Sequence, residues 1–170
     1  RWLRGRILLY AYNVNVTINL EAEIRRLCDE KKITPRIALY NGDSSMGDRA
    51  DAKEAFNKGE LDLLIISEAG SVGLDLQCTS KVFLFDMSWN IPQMNQIIGR
   101  AIRFKSHHEP CEHDHVDVYI YRSVFATKQA TRVFDHQILV DAIKKWKRVA
   151  SMLEKVMKPS SIKNSTVCAK

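Results

Sequence analysis

The sequence predicts an α/β fold: a mainly parallel β-sheet flanked by helices, with a C-terminal helical extension. Two observations carry this. Short apolar runs alternate with segments of helical periodicity, the pattern of parallel strands joined by crossover helices. After Tyr121 the strand pattern stops and one long helical stripe takes over. A chain of 170 residues that is 45% apolar can bury a proper core as one domain. No apolar run approaches ~18 residues, so no helix is expected to span a membrane.

Ile7-Leu8-Leu9-Tyr10 reads as the first strand. Its approach, RWLRGR, is basic but leads to no small-residue cleavage site, so no signal peptide is read. Thr17 is expected to cap the next helix, with Leu20, Ile24 and Leu27 on its inner face. Ile37 to Tyr40 is the second strand, and Asn41 to Asp48 is turn chemistry. Asp48 is expected to cap a helix through Phe56, stopped by Gly59. Leu61 to Ser67, Lys81 to Asp86 and Val116 to Tyr121 are the remaining strands. In the extension, Leu139, Ile143, Trp146, Ala150, Leu153 and Met157 form one apolar stripe flanked by lysines, and Pro159 ends it.

The charge is uneven. From Lys144 to the end there are eight Lys or Arg against Glu154 alone, so that segment is +7 and residues 1–143 sum to −1. A basic tail on a near-neutral body points to a polyanionic or acidic partner, or to a helix made soluble by its lysines. Cys28, Cys78, Cys111 and Cys168 have no C-x-x-C spacing, which suggests a reducing, intracellular setting.

The most informative stretch is Gln93 to Arg103, QMNQIIGRAIR. At helical spacing Gln93, Gln96, Arg100 and Arg103 fall on one side, and Met94, Ile97, Ile98, Ala101 and Ile102 on the other. Two adjacent guanidinium forks suit a multi-oxygen anion such as a polyphosphate, although a solvated helix face has the same composition. In parallel sheets the chemistry sits on loops beyond strand C-termini. Three loops qualify: Asn41 to Asp48, Ser67 to Leu76 (SEAGSVGLDL), and Met87 to Gln93. The second carries Gly70 and Gly73, which permit unusual backbone angles, and Asp75, an acceptor for a sugar hydroxyl.

In order, SEAGSVGLDL, a strand, DMSWNIPQ and QIIGRAIR resemble the later motifs of superfamily 2 helicases of the Swi/Snf type, over about residues 6–122. QIIGRAIRFKSH followed by a V-x-V-Y-x-Y strand is similar to helicases of large cytoplasmic DNA viruses, such as the poxvirus nucleoside triphosphatase I and early transcription factor small subunit families. The resemblance implies the second RecA-like lobe of a two-lobe motor over residues 1–122, followed by a basic extension over 123–170. It implies ATP with Mg²⁺ as cofactor, bound mainly through the first lobe. Arg100 and Arg103 match arginine fingers for the γ-phosphate, and Gln96 the motif's leading glutamine. Gly73 and Asp75 match the nucleotide-sensing loop, where the family usually has asparagine in place of Asp75. Gly42, Asp43, Ser44 and Ser67 match contacts to nucleic acid, with Glu68 an unhelpful charge there. Trp89 reads as a packing anchor.

No G-x-x-x-x-G-K-[ST] loop and no strand-borne acidic box is present; the DEKK string, Asp29 to Lys32, follows a helix. The family places both in the first lobe. The expectation is therefore a fragment with half an active site, inactive alone. Its expected partners are DNA or RNA, the first lobe and a transcription complex, and no membrane. Its setting would be host cytoplasm and virion if viral, or the nucleus if cellular. The basic residues Lys144, Lys145, Lys147 and Arg148 are the candidate nucleic-acid contacts of the extension.

His107, His108, Cys111, His113 and His115 form a His/Cys-rich loop, but the spacing fits no standard zinc finger and acids crowd it, so no metal is assigned. A different class of function stays open: a non-catalytic nucleic-acid or protein binding module working through the basic helix. A stand-alone small-molecule enzyme ranks last, because no nucleophile–base constellation is evident.

Overall fold

The apolar runs form a single sheet whose central strands bury side chains on both faces, while its edge strands are more open. Its strands are β1 (Arg6–Tyr10), β2 (Ile37–Tyr40), β3 (Leu63–Ile66), β4 (Thr79–Leu84) and β5 (Asp117–Ile120). The spatial order is β2-β3-β1-β4-β5, with every neighbouring pair parallel. Helices α1 (Val14–Glu30), α2 (Met46–Lys58) and α3 (Ile91–Ala101) are the crossovers, and α4 (Phe134–Val156) follows β5. This computed structural model describes residues 5–68, 73–86, 90–103, 106–107, 111, 115–121 and 134–156, with the side chains of α4 described over 137–152. No helix among the described residues is long and apolar enough to cross a membrane.

The two faces carry separate cores. On one, Leu8, Tyr10, Leu64, Ile66, Val82 and Leu84 meet Phe56 of α2, Met94 and Ile97 of α3, and Ile138 of α4. On the other, Ile7, Leu9, Leu63 and Ile65 pack with Leu20 and Ile24 of α1. The predicted strand positions hold, with ends shifted by up to two residues.

The helix starts differ from expectation. Asn13 caps α1, accepting from Asn15 N at 2.9 Å, while Thr17 is fully buried and donates to Val14 O. Cys28 is buried in α1, and Leu27 is 40% exposed. Ser45 caps α2, with Asp48 as the reciprocal member of a capping box. Gly59 ends α2 at φ 80, a left-handed position suited to glycine. The apolar row of α4 also shifts: Ile138 and Ala142 are buried, whereas Ile143 and Trp146 are 38% and 39% exposed. The face of a helix that is buried depends on where its neighbour lies, and α4 lies against α3. Leu153's side chain and Met157 fall outside the described residues.

Cys78 and Cys111 are joined in a disulfide, with Cα atoms 5.1 Å apart. This corrects the reading of the cysteines as scattered thiols. Partners 33 positions apart in sequence meet only because β4 and α3 fold back on each other. Cys28 is a buried free thiol.

Candidate functional site

The polar groups gather at two ends of α3, roughly 16 Å apart for an 11-residue helix. The first gathering is at the C-terminal edge of the sheet. There Glu68, just past β3, accepts from Gln93 Nε2 in the first turn of α3. Tyr12, just past β1, bonds Glu68 through its hydroxyl; that bond, and then the carboxylate's charge, holds the phenol proton above the usual tyrosine range. Asp86, past β4, accepts from Tyr12 N at 2.7 Å. Beneath them Tyr10 is buried, and burial, then the charges of Glu68 and Asp86, push its hydroxyl pKa up.

The same edge carries the turn after β2. Asn41, 3% exposed, accepts through Oδ1 from Asp43 N and Ser44 N, each at 3.1 Å. Those two amides are therefore engaged within the turn and not offered to a ligand. Gly42 and Asp43 are exposed, and Ser44 is half-buried. Arg49 reaches back from α2 to donate to Gly42 O at 2.8 Å, with its guanidinium 6.0 Å from the Tyr40 ring centroid. Sequence reading missed Arg49; the available signal was a cation one turn into a helix that starts beside the turn. Ser67 departs from expectation. It is fully buried, and its Oγ has no hydrogen-bond partner among the described residues, so this state does not present it to solvent.

The second gathering lies at the other end of α3, near the start of β1 and β4, and not beyond the strand C-termini as expected. Residues 75–78, which lead into β4, lie against Asn57 at the end of α2 and Arg6 at the start of β1. Gly73 is exposed at φ 76, with nothing within 4 Å of an added Cβ, so only its backbone conformation calls for glycine. Leu74 and Leu76 are buried anchors on either side of Asp75. Asn57 of α2 donates to Asp75 O at 3.1 Å and accepts from Gln77 N at 2.8 Å. Arg6 donates to Gln77 O and Asn57 O. Leu76 N bonds Arg100 O at 3.3 Å, and Cys78 N bonds Ser106 O at 2.9 Å. Residues 73–78 are thus fastened to α2 and to the end of α3.

That fastening brings two predicted residues together: Arg103 Nη1 lies 3.7 Å from Asp75 Oδ1, both side chains a little under half exposed. Arg103 does not extend the helical row of Gln96 and Arg100. Ala101 ends α3, Ile102 is its C-cap and 49% exposed, and Arg103 N turns to Ser106 Oγ at 3.1 Å. Arg100, in the last turn, is half-buried, and Gln96 is exposed. His107 supports the junction. Its Nε2 lies 2.8 Å from Thr79 O, a pure acceptor, so Nε2 carries the proton and Nδ1 faces Ser106 Oγ at 2.9 Å. His107 is thus a structural hydrogen-bonding residue and Cys111 a disulfide partner. His108, His113, Gly70 and Trp89 lie outside the described residues. Among the described residues no group of three or more His, Cys, Asp or Glu is arranged to hold a metal ion.

Lys144, Lys145, Lys147 and Arg148 are all exposed on α4. Lys144 lies 3.9 Å from Asp141. Lys145 and Trp146 line, with Ala142, Val149, Asn90, Ile91 and Pro92, a hollow of about 60 Å³ between α4 and the start of α3.

The helicase conserved C-terminal domain matches residues 3–105. Nucleoside triphosphatase I of Amsacta moorei entomopoxvirus is 33% identical over 109 residues, covering 64% of this chain and 16% of the viral protein. Its counterpart in Heliothis armigera entomopoxvirus is 33% identical over 101 residues, covering 59% and 15%. The chain thus spans about a sixth of these relatives. The fold is similar to the C-terminal part of the Fun30 ATPase domain, at TM-score 0.62 and 21% identity over 90% of this chain and 46% of that one. It is also similar to the E. coli DEAD-box protein SrmB bound to regulator of ribonuclease activity A, at TM-score 0.59 and 18% identity over 82% and 69%.

Proposed function

The chain belongs to the helicase conserved C-terminal domain family, and from that premise we propose that it is the second motor lobe of an ATP-dependent nucleic-acid helicase or translocase. The observation that carries this reading is the junction of Asp75, Arg103 and the Arg100 carbonyl. It fixes two guanidinium-bearing residues beside a glycine-containing loop, at the end of α3 away from the strand-end turns. Nucleotide and nucleic acid then have separate ends of one rigid helix.

Arg100 and Arg103 act as fingers on the γ-phosphate, where planar guanidinium forks suit charge spread over several oxygens. Gln96 lies one turn before Arg100 on the same face, and Gly73 and Asp75 read the nucleotide. Among the described residues of this junction the carboxylate is Asp75, which already faces Arg103, so that donor set suits a triphosphate better than its metal. Mg²⁺, which neutralises phosphate charge when bound, is assigned with the phosphate cradle to the first lobe. Gly42, Asp43 and Ser44, with Arg49 behind them, form this lobe's share of the nucleic-acid track. Ser67 supports that edge from within. The relatives are viral, which favours a viral setting; DNA or RNA, the first lobe and a transcription complex are the partners proposed with the motor.

The exposed row Lys144, Lys145, Lys147 and Arg148 supports a second reading, a binding module that docks on nucleic acid through α4. ATP hydrolysis by the two-lobe protein separates the two. The motor reading expects Mg²⁺-dependent turnover that rises with DNA or RNA, and none from the 170-residue chain alone. A two-lobe protein that binds nucleic acid yet hydrolyses no nucleoside triphosphate leaves the binding module.

A further inference from the structure

The sheet face that carries α1 is covered over only part of its width. Strand alternation puts Lys81, Phe83 and Phe85 on that face. The register sets Lys81 beside Asp117 and Phe83 beside Tyr119, and the bond from Tyr121 N to Leu84 O carries Tyr121 alongside Phe85. Phe83 packs on the same cluster as Leu20 and Ile24 of α1. Beyond it the rings continue, with no helix of the described residues above them. Tyr119 stacks on Phe83 at 4.9 Å, and Tyr121 lies 6.0 Å from it. Phe85, Tyr119 and Tyr121 are 42%, 43% and 50% exposed. With side chains of this size, that leaves a patch of roughly 300 Å², large enough on a single domain to mark a contact surface.

Three facts say what covers it. An all-parallel sheet is stable with both faces layered, so an open aromatic quarter is an unfinished layer. Crossover handedness shows which element is missing. The β1-α1-β2 connection runs toward β2 and lays α1 over β1, β3 and β2, while α2 and α3 return on the opposite face. No connection described here puts a helix over β4 and β5 on the α1 side. Finally, the 109 matched residues are 16% of the viral relative, which is therefore about four times as long as this chain.

We infer that the apolar face of an amphipathic helix, contributed by the same polypeptide outside these 170 residues, packs beside α1 on Phe83, Phe85, Tyr119 and Tyr121. The tyrosine hydroxyls reach the helix's polar margin, and the cross-strand neighbours Lys81 and Asp117 close one end of the patch with charge. This rests on the fold and is independent of the nucleotide site.

The test uses the full polypeptide carrying Tyr121→p-benzoylphenylalanine, irradiated and analysed by mass spectrometry, with hydroxyl-radical labelling of the unmodified protein. The expected cross-link joins position 121 to a peptide of the same polypeptide outside residues 1–170. Tyr119 and Tyr121 are expected to label several-fold more slowly than Tyr12, which is 56% exposed here. A cross-link to residues 122–133, to a second copy or to nucleic acid overturns the inference. If no cross-link forms, labelling decides: Tyr119 and Tyr121 reacting as fast as Tyr12 overturns it as well.

Discussion

Asp75 Oδ1 and Arg103 Nη1 lie 3.7 Å apart, joining the loop before β4 to the residue just past the end of α3. A half-exposed pair at that distance contributes about 0–1 kcal/mol, so it is easily exchanged. A triphosphate offers Arg103 more charge than one carboxylate does. In the proposed nucleotide site the pair would therefore preset the guanidinium and yield when phosphate arrives.

Asp75→Asn keeps a hydrogen-bonding side chain and removes the competing charge. In the two-lobe protein it is expected to lower the KM for ATP and to raise kcat by no more than about 5-fold, the rate equivalent of ~1 kcal/mol. Steady-state kinetics check this. A large fall in kcat would show that the carboxylate has a direct part in turnover.

The Cys78–Cys111 bond fastens the same junction. Closing a loop of 33 residues is expected to contribute about 3–4 kcal/mol. Thermal unfolding of the chain with and without a thiol reductant should show a clear drop in Tm. The Cys78→Ser, Cys111→Ser variant should start low and not respond. Equal melting of wild type under both conditions would show that the bond adds nothing to stability.

Arg36 and Asp62 give a pH signature. The Arg36 hydrogen bond, more than its charge, holds the Asp62 carboxyl below the usual carboxylate range, at 2.8 Å from Arg36 Nη2. A folded pKa below the unfolded one means stability that is present above the unfolded pKa of about 3.9 and lost as pH falls through the folded value. The Tm difference between wild type and Asp62→Asn should be constant from neutral pH to about 5 and shrink below about 4. A difference that persists undiminished in acid would place the effect in packing.

Much of this arrangement was legible in sequence, and the failures have physical causes. Leu8, Leu64 and Ile66 are buried in a parallel sheet, so the runs containing them had to be apolar throughout. Ser45 and Asp48 are reciprocal members of one capping box, and either reads as the cap until the backbone is seen. Arg103 was placed on the face of α3 because periodicity carries no stop signal there; the stop is tertiary, the Ser106 hydroxyl taking the Arg103 amide. The α4 stripe carries no sign of its partner: Leu139 packs at the margin of the core and Trp146 lines the hollow against α3, while Ile138 and Ala142 beside the stripe are the most buried, because α3 decides which side is covered. Asn57, which holds Asp75 and Gln77, gave no signal, since a single asparagine near a helix end is ordinary surface chemistry.

The basic row of α4 makes a separate prediction. Charge reversal at Lys144, Lys145, Lys147 and Arg148 should weaken binding of the two-lobe protein to duplex or single strands without sequence preference. The slope of log K against log salt should fall in magnitude by up to about 3–4 if all four meet phosphates. Because these side chains are exposed, melting should change little. Unchanged affinity at low salt in a folded variant would make α4 a brace for α3.

The central claim is that Arg100 and Arg103 stabilise charge developing on a transferred phosphoryl group. Single-turnover ATP hydrolysis by the two-lobe protein, for wild type, Arg100→Ala and Arg103→Ala, tests it most directly. Alanine keeps Arg100's helix intact, and Arg103 lies beyond the helix end. Loss of such a finger costs ~10³–10⁵ in rate in related phosphoryl-transfer enzymes. The account predicts a fall in the hydrolysis step of that order for each variant, with affinity for nucleic acid nearly unchanged. Hydrolysis at the wild-type rate in either variant would contradict that residue's role as a finger, and in both would contradict the account.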